Sequence, residues 1–372
     1  MRVLIAFIDD EASNPFVREL KEGLESVGCD VTWSLTRFWK KEGKYDIVHL
    51  QWPEYLFLPV NNDTDVAAGL DRLRETLMFW KRSSRIVLTR HNQKPHLSHD
   101  RDLFYERLYD LVYSYCDGFV HLGPFELEKF KQIHSTDVLG NTVNHIIIPH
   151  HIYVHSYYGS VDRRVAKESL GIKSGRAVIL VYGRIRLKRE RAFLRKLFKA
   201  TRDRNICFLV PTWLPFELNK GLLWKLRHLY YDFKLILLNR SSNIIAFRRF
   251  VKDEDTYLYF DAADIVLIPR LEELNSGNVT LGYYFGKVVV GPAIGNIQHE
   301  LKETGNPTFI PASLPSVVRA IDYGLSLVNA NKGLENRQYV FDNRLPSIIG
   351  REYLSFYIQC LNTKRIDGLI FS

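Results

Sequence analysis

The chain is built from short runs of consecutive apolar, mostly β-branched residues. Each run is closed by a polar or breaking residue and followed by a segment whose apolar residues recur every three to four positions. Such runs read as strands buried on both faces, and the segments between them as amphipathic helices. Met1–Ile8 is the first strand and Asn14–Gly28 a helix stopped by glycine. Strands are expected next at Val31–Leu35, Tyr45–Trp52, Arg85–Asn92, Asp117–Leu122 and Asn144–Pro149, with helices over 66–82, over 101–115 and from Pro124. Gly159–Arg164 has linker composition, and a second series opens after it. Its expected strands are Ala177–Gly183, Asn205–Pro211, Phe233–Leu238, Ile265–Ile268 and Lys287–Pro292, and its expected helices cover 253–261, 278–285, 314–328 and 336–345. An amphipathic helix over 348–361 comes last. Two β/α series imply an α/β protein with two Rossmann-like domains, 1–160 and 161–345, followed by a C-terminal segment, 346–372.

Ligands of open α/β sheets collect beyond the carboxyl ends of the strands. In the first series those ends carry Gln51, Trp52, His91 and Asn92, with His49 and His96 nearby. In the second series the densest stretch is Asp264–Glu300, where Asn275-Ser276-Gly277-Asn278 falls at the start of a helix. Exposed N–H groups at a helix start, with a glycine allowing close approach, suit a phosphate. Capping by Asn275 or Ser276 is the plainer use of the same residues. Arg184, Arg186, Lys188 and Arg189 place four cations directly after a strand, and arginine suits bidentate phosphate contacts. No GxGxxG follows the first strand, which disfavours a dehydrogenase. His150, His151 and His155 lack a further acidic or cysteine ligand at zinc spacing, so no metal is expected.

Bulk properties narrow the picture. A chain of 372 residues suits two domains, and 46% hydrophobic with 25% charged residues matches a soluble globular protein. Four scattered cysteines without a CxxC pair argue against zinc and a disulfide framework, and the N-terminal run is too short for a signal peptide, so the cytosol is the expected compartment. The net charge of +9 comes with basic clusters at Lys40–Lys41, Lys81–Arg85, Arg163–Arg164 and Arg184–Arg204. That balance favours phosphorylated substrates or an anionic membrane surface, where the chain would sit peripherally. No helix-turn-helix, RRM or zinc-finger spacing supports nucleic-acid binding.

The run from Glu272 through Gly286 to Glu300 resembles the donor-sugar segment of GT-B glycosyltransferases, in particular the large retaining family of bacterial mannosyl- and glucosyltransferases. Aligned on Gly286 and Val288–Val290, the family's first acid falls on Glu273 or Glu272 and its second on Leu281, while Ser276-Gly277-Asn278 is similar to the variant of polysaccharide transferases. Tyr182-Gly183-Arg184 through Arg189 resembles the family's Gly-Arg…Lys segment, and the stretch from Pro149 to Tyr157 its hinge entry. The resemblance implies a GT-B fold, two Rossmann-like domains facing across a cleft with a C-terminal helix returning to the first domain. It implies His91, Glu273 and Arg184 in catalysis. Arg186, Lys188, Arg189, Glu272, Asn275, Ser276, Gly277 and Asn278 would bind the donor, and Gln51, Trp52, Asn92, His150 and Tyr157 the acceptor side. The implied activity is metal-independent transfer, with retention, from a nucleotide sugar to a glycan or lipid-linked acceptor in surface polysaccharide synthesis. A GT-B sugar-nucleotide epimerase and a non-catalytic scaffold are the rival readings.

Overall fold

A computed structural model of the protein describes residues 1–10, 14–57, 66–91, 102–134, 143–185, 187–213, 222–241, 243–248, 251–272 and 275–363. The chain divides into two compact units, Met1–His151 with the segment from Asn343 onward, and Ile152–Asp342.

In the first unit the order is β1 (Arg2–Ala6), α1 (Pro15–Ser26), β2 (Asp30–Trp33), α2 (Leu35–Lys40), β3 (Ile47–Leu50), α3 (Pro53–Leu56), α4 (Val66–Ser83), β4 (Arg85–Arg90), α5 (Asp102–Tyr115), β5 (Gly118–His121), α6 (Pro124–Ile133) and β6 (Asn144–Ile147), with the terminal helix Pro346–Asn362 added. The strands form a parallel sheet in the order β2-β1-β3-β4-β5-β6, with Val3 opposite Ile47 and Ile47 opposite Arg85. β3 and β5 are buried throughout, as apolar runs covered by helices on both faces should be. Helix α1 begins at Pro15, and the Asn14 carboxamide accepts from the N–H groups of Phe16 (3.0 Å) and Val17 (3.4 Å). Its other face meets the terminal helix backbone to backbone: a Cβ on Gly350 would lie 2.2 Å from the Gly23 carbonyl oxygen, and one on Gly23 would lie 2.3 Å from that of Pro346.

The second unit contains α7 (Arg163–Ser169), β7 (Ala177–Leu180), α8 (Lys188–Ala200), β8 (Ile206–Val210), α9 (Leu222–Asn239), β9 (Ile244–Ala246), α10 (Thr256–Ala262), β10 (Ile265–Leu267), α11 (Gly277–Tyr284), β11 (Val288–Pro292), α12 (Gly295–Glu303), β12 (Thr308–Phe309), α13 (Leu314–Asn329) and α14 (Lys332–Asn343). Its parallel sheet runs β12-β11-β10-β7-β8-β9, so strand order reverses between β7 and β10. In the first unit the reversal lies between β1 and β3. Crevices open at such reversals, which makes both points places for a ligand.

One expected strand is a helix. Phe233–Leu238 lies inside α9, where Tyr231, Leu235 and Leu238 pack on the core at i, i+4 and i+7. A short apolar run carries both periodicities, and here the helical one found the core. The strand that completes this edge is the later Ile244–Ala246. Among the described residues no helix is long and apolar enough to cross a membrane.

Candidate functional site

At the reversal point of the second unit, the loop after β7 turns at Gly183, whose φ of +82° lies in the left-handed region that glycine adopts without a Cβ penalty. Two side chains hold this loop. The Asn278 amide donates to the Tyr182 carbonyl at 2.9 Å. The buried Arg270, just beyond β10, donates from Nη2 to the Arg184 carbonyl (3.0 Å) and from Nη1 to Glu190 Oε2 (3.2 Å). Glu190 Oε2 also accepts the Leu187 N–H at 3.1 Å, closing the first turn of α8. With the loop backbone fixed from inside, the Arg184 guanidinium and the Lys188 ammonium are exposed, and neither has an ion-pair partner among the described residues. Arg189 instead pairs with Glu272.

Facing this loop, Ser276 sits in extended backbone at the N-cap of α11 and makes no side-chain capping bond. The helix therefore starts at Gly277 with N–H groups that no cap side chain occupies. Asn275 Oδ1 accepts from Asn296 Nδ2 (2.6 Å), tying the loop before α11 to the first turn of α12. Backbone donors, the positive end of a helix and two unengaged cations converge within one unit, an arrangement suited to a diphosphate.

At the strand ends of the first unit, Gln51 and His91 form a second cluster. The Gln51 amide nitrogen is 3.2 Å from His49 Nε2, and its oxygen is 2.9 Å from His91 Nε2. An amide nitrogen can only donate, so His49 Nε2 accepts and its proton sits on Nδ1, facing the Tyr357 hydroxyl at 2.7 Å. By the same logic His91 is protonated on Nε2. Thr89 Oγ1 joins the chain 2.8 Å from His49 Nε2 and 3.1 Å from the Tyr353 hydroxyl. Trp52 stacks on His91 with centroids 3.7 Å apart and planes 16° from parallel, while the Phe16 ring meets His91 edge-on at 4.6 Å. Phe16 also packs against His150 at 4.9 Å. Burial holds His91 well below the usual imidazole pKa, reinforced by His150, His49 and His151. Burial likewise lowers His49 to about 3, and lowers His150 to about 3 with help from His151 and Arg344. These imidazoles are neutral near pH 7, and His91 offers hydrogen bonds rather than a proton sink.

No protein-family model matches the sequence, and no curated protein matches it at a significant level. Solved structures do match. Sucrose-phosphate synthase from Thermosynechococcus elongatus aligns with a TM-score of 0.69 at 13% identity, over 98% of this chain and 99% of that one. HepE of Anabaena, in complex with UDP-glucose, aligns at 0.64 and 11% identity, over 96% and 99%. The catalytic domain of starch synthase IV from Arabidopsis thaliana, bound to ADP and acarbose, aligns at 0.64 and 12% identity, over 97% and 99%. All three are GT-B glycosyltransferases.

The fold is GT-B.

Within that GT-B frame the expected residues divide into groups. Arg184, Lys188, Ser276 and Gly277 lie together at the reversal point of the second unit, whereas Arg189 and Glu272 engage each other. Asn275 Oδ1 accepts from Asn296, and the Asn278 side-chain amide donates to the Tyr182 carbonyl. Leu281, at the position of the usual second acid, is buried in the core face of α11. Gln51, Trp52, His91 and His150 cluster in the first unit, while Tyr157 belongs to the second, its carbonyl accepting from the Tyr284 hydroxyl at 2.8 Å. Asn92, His96, Arg186 and Glu273 lie outside the described residues. Three participants escaped the sequence reading: Arg270, Glu190 and Tyr357. Only the capping position of Glu190, three residues beyond Leu187, left a local trace. Among the described residues no group of three or more His, Cys, Asp or Glu side chains could hold a metal ion.

Proposed function

We propose that this GT-B protein is a glycosyltransferase that uses a nucleotide-sugar donor. The carrying observation is the Arg184–Lys188 loop, held rigid by Arg270 and Asn278, opposite the uncapped start of α11. Departure of a nucleoside diphosphate develops negative charge, and fixed donors and cations stabilise it without reorganising. Arg184 would take the phosphates, with Ser276 and the Gly277 and Asn278 N–H groups cradling them, and the resemblance assigns Arg186 and Glu273 to the same donor site. Protein cations here would do the work of a divalent metal, so we propose a metal-independent reaction. The first unit would receive the acceptor, a glycan or lipid-linked sugar, along Gln51, Trp52 and His91, as in surface polysaccharide assembly.

Neutral His91 favours a retaining path in which the leaving phosphate itself accepts the acceptor's proton. An inverting path needs a base with a pKa nearer neutrality. The test is thermal stabilisation by UDP-, GDP- and TDP-sugars with and without EDTA. A donor at ~100 Kd stabilises by about 2.7 kcal/mol. We expect one donor class to do so independently of EDTA, and Arg184→Ala to abolish the shift. If no donor stabilises the protein, a non-catalytic scaffold becomes the better reading.

A further inference from the structure

Helix α9 is apolar on two opposite sides. Tyr231, Leu235 and Leu238 face the core of the second unit. Leu229 (68% exposed), Tyr230 (52%), Phe233 (58%), Ile236 (58%) and Leu237 (43%) face solvent. At 3.6 residues per turn, Leu229, Phe233 and Ile236 fall within about 60° of one another, directly opposite the core-facing row. A helix of a globular domain ordinarily turns charge outward, and a continuous apolar stripe of this size marks a binding surface.

Charge identifies the occupant. Successive right-handed crossovers from β7 to β8 to β9 put α8 and α9 side by side on one face of the sheet, and both feed the same core. The outward side of α8 exposes Arg195, Lys196 and Lys199, and Arg202 follows it. On α9 itself the Lys234 ammonium lies over the Tyr230 ring at 4.2 Å. The acids of this layer are largely engaged: Glu190 with Arg270, Asp232 with Arg248, and Asp322 with Arg204. We infer that this face docks the second unit on an anionic lipid surface, the α9 stripe entering the headgroup–acyl boundary and the α8 cations lying over anionic headgroups. A nucleic acid would satisfy the cations but leave the stripe in water. A second copy would bring like charges together.

The test is co-sedimentation with vesicles of phosphatidylcholine alone and of phosphatidylcholine mixed with phosphatidylglycerol, without nucleotide, so its outcome is independent of the donor reading. The wild type should pellet with the mixed vesicles and remain in solution with the neutral ones. Phe233→Glu/Ile236→Glu should lose vesicle binding while keeping the wild-type melting temperature. Lys196→Glu/Lys199→Glu should weaken it by at least about five-fold for each cation lost, and added salt should act the same way. Wild type left in the supernatant overturns the proposal, as does undiminished binding by Phe233→Glu/Ile236→Glu. A dimer in light scattering that this variant splits, without vesicle binding by the wild type, overturns it in favour of self-association.

Discussion

Gln51 sets the protonation of two histidines, because its amide nitrogen must donate and its oxygen must accept. The cost appears on acidification. His49 and His150 stay neutral in the folded protein down to about pH 3, yet in the unfolded chain they take up protons near pH 6.5. The unfolded state therefore binds more protons between those limits, and stability falls as pH drops through that window. Melting temperature followed from pH 7.5 down to 4 should decline progressively, and His49→Gln should flatten the slope. Arg270 presents a second residue-scale case: it is a buried cation whose charge is matched by Glu190. Arg270→Met should destabilise by about 3–5 kcal/mol by leaving that carboxylate uncompensated, and the added Glu190→Gln should restore part of the loss in urea unfolding. Neither role is legible locally. Arg270 acts on Arg184 across 86 positions and Tyr357 on His49 across 308, so only the assembled sheet brings them together.

The elements were far more legible than these pairings. Parallel strands covered on both faces leave apolar runs, which made β1, β3, β4 and β11 readable directly from the sequence. α9 was misread for a related reason: with apolar residues on both its core and its outer side, Phe233–Leu238 loses the polar face that distinguishes a surface helix. The resemblance implied that the terminal helix returns to the first unit, as it does, but its point of crossing with α1 was hidden, since a glycine inside a helical pattern reads as a mild defect rather than as a contact point. Gly350→Ala would drive a methyl group into the Gly23 carbonyl. It should cost about 1–3 kcal/mol or more, seen as a lower urea midpoint at unchanged m-value, despite alanine's better helix propensity.

At the scale of the whole molecule, two β/α series were enough to give the architecture, because each sheet must bury its own apolar runs. The reversal points that position the candidate sites were not, since strand order is a property of pairing rather than of any one segment. The return of the terminal helix to α1 also has a temporal consequence. The first unit is discontinuous, with Ile152–Asp342 interposed between its two parts. During synthesis the sheet from β1 to β6 emerges early, but the helix that covers α1 is added only after the whole second unit, roughly 10–40 s later at ribosomal rates. For that interval the apolar flank of α1 has no cover from its own chain. The first unit can therefore close over α1 only once Pro346–Asn362 has been made, after the second unit is already complete.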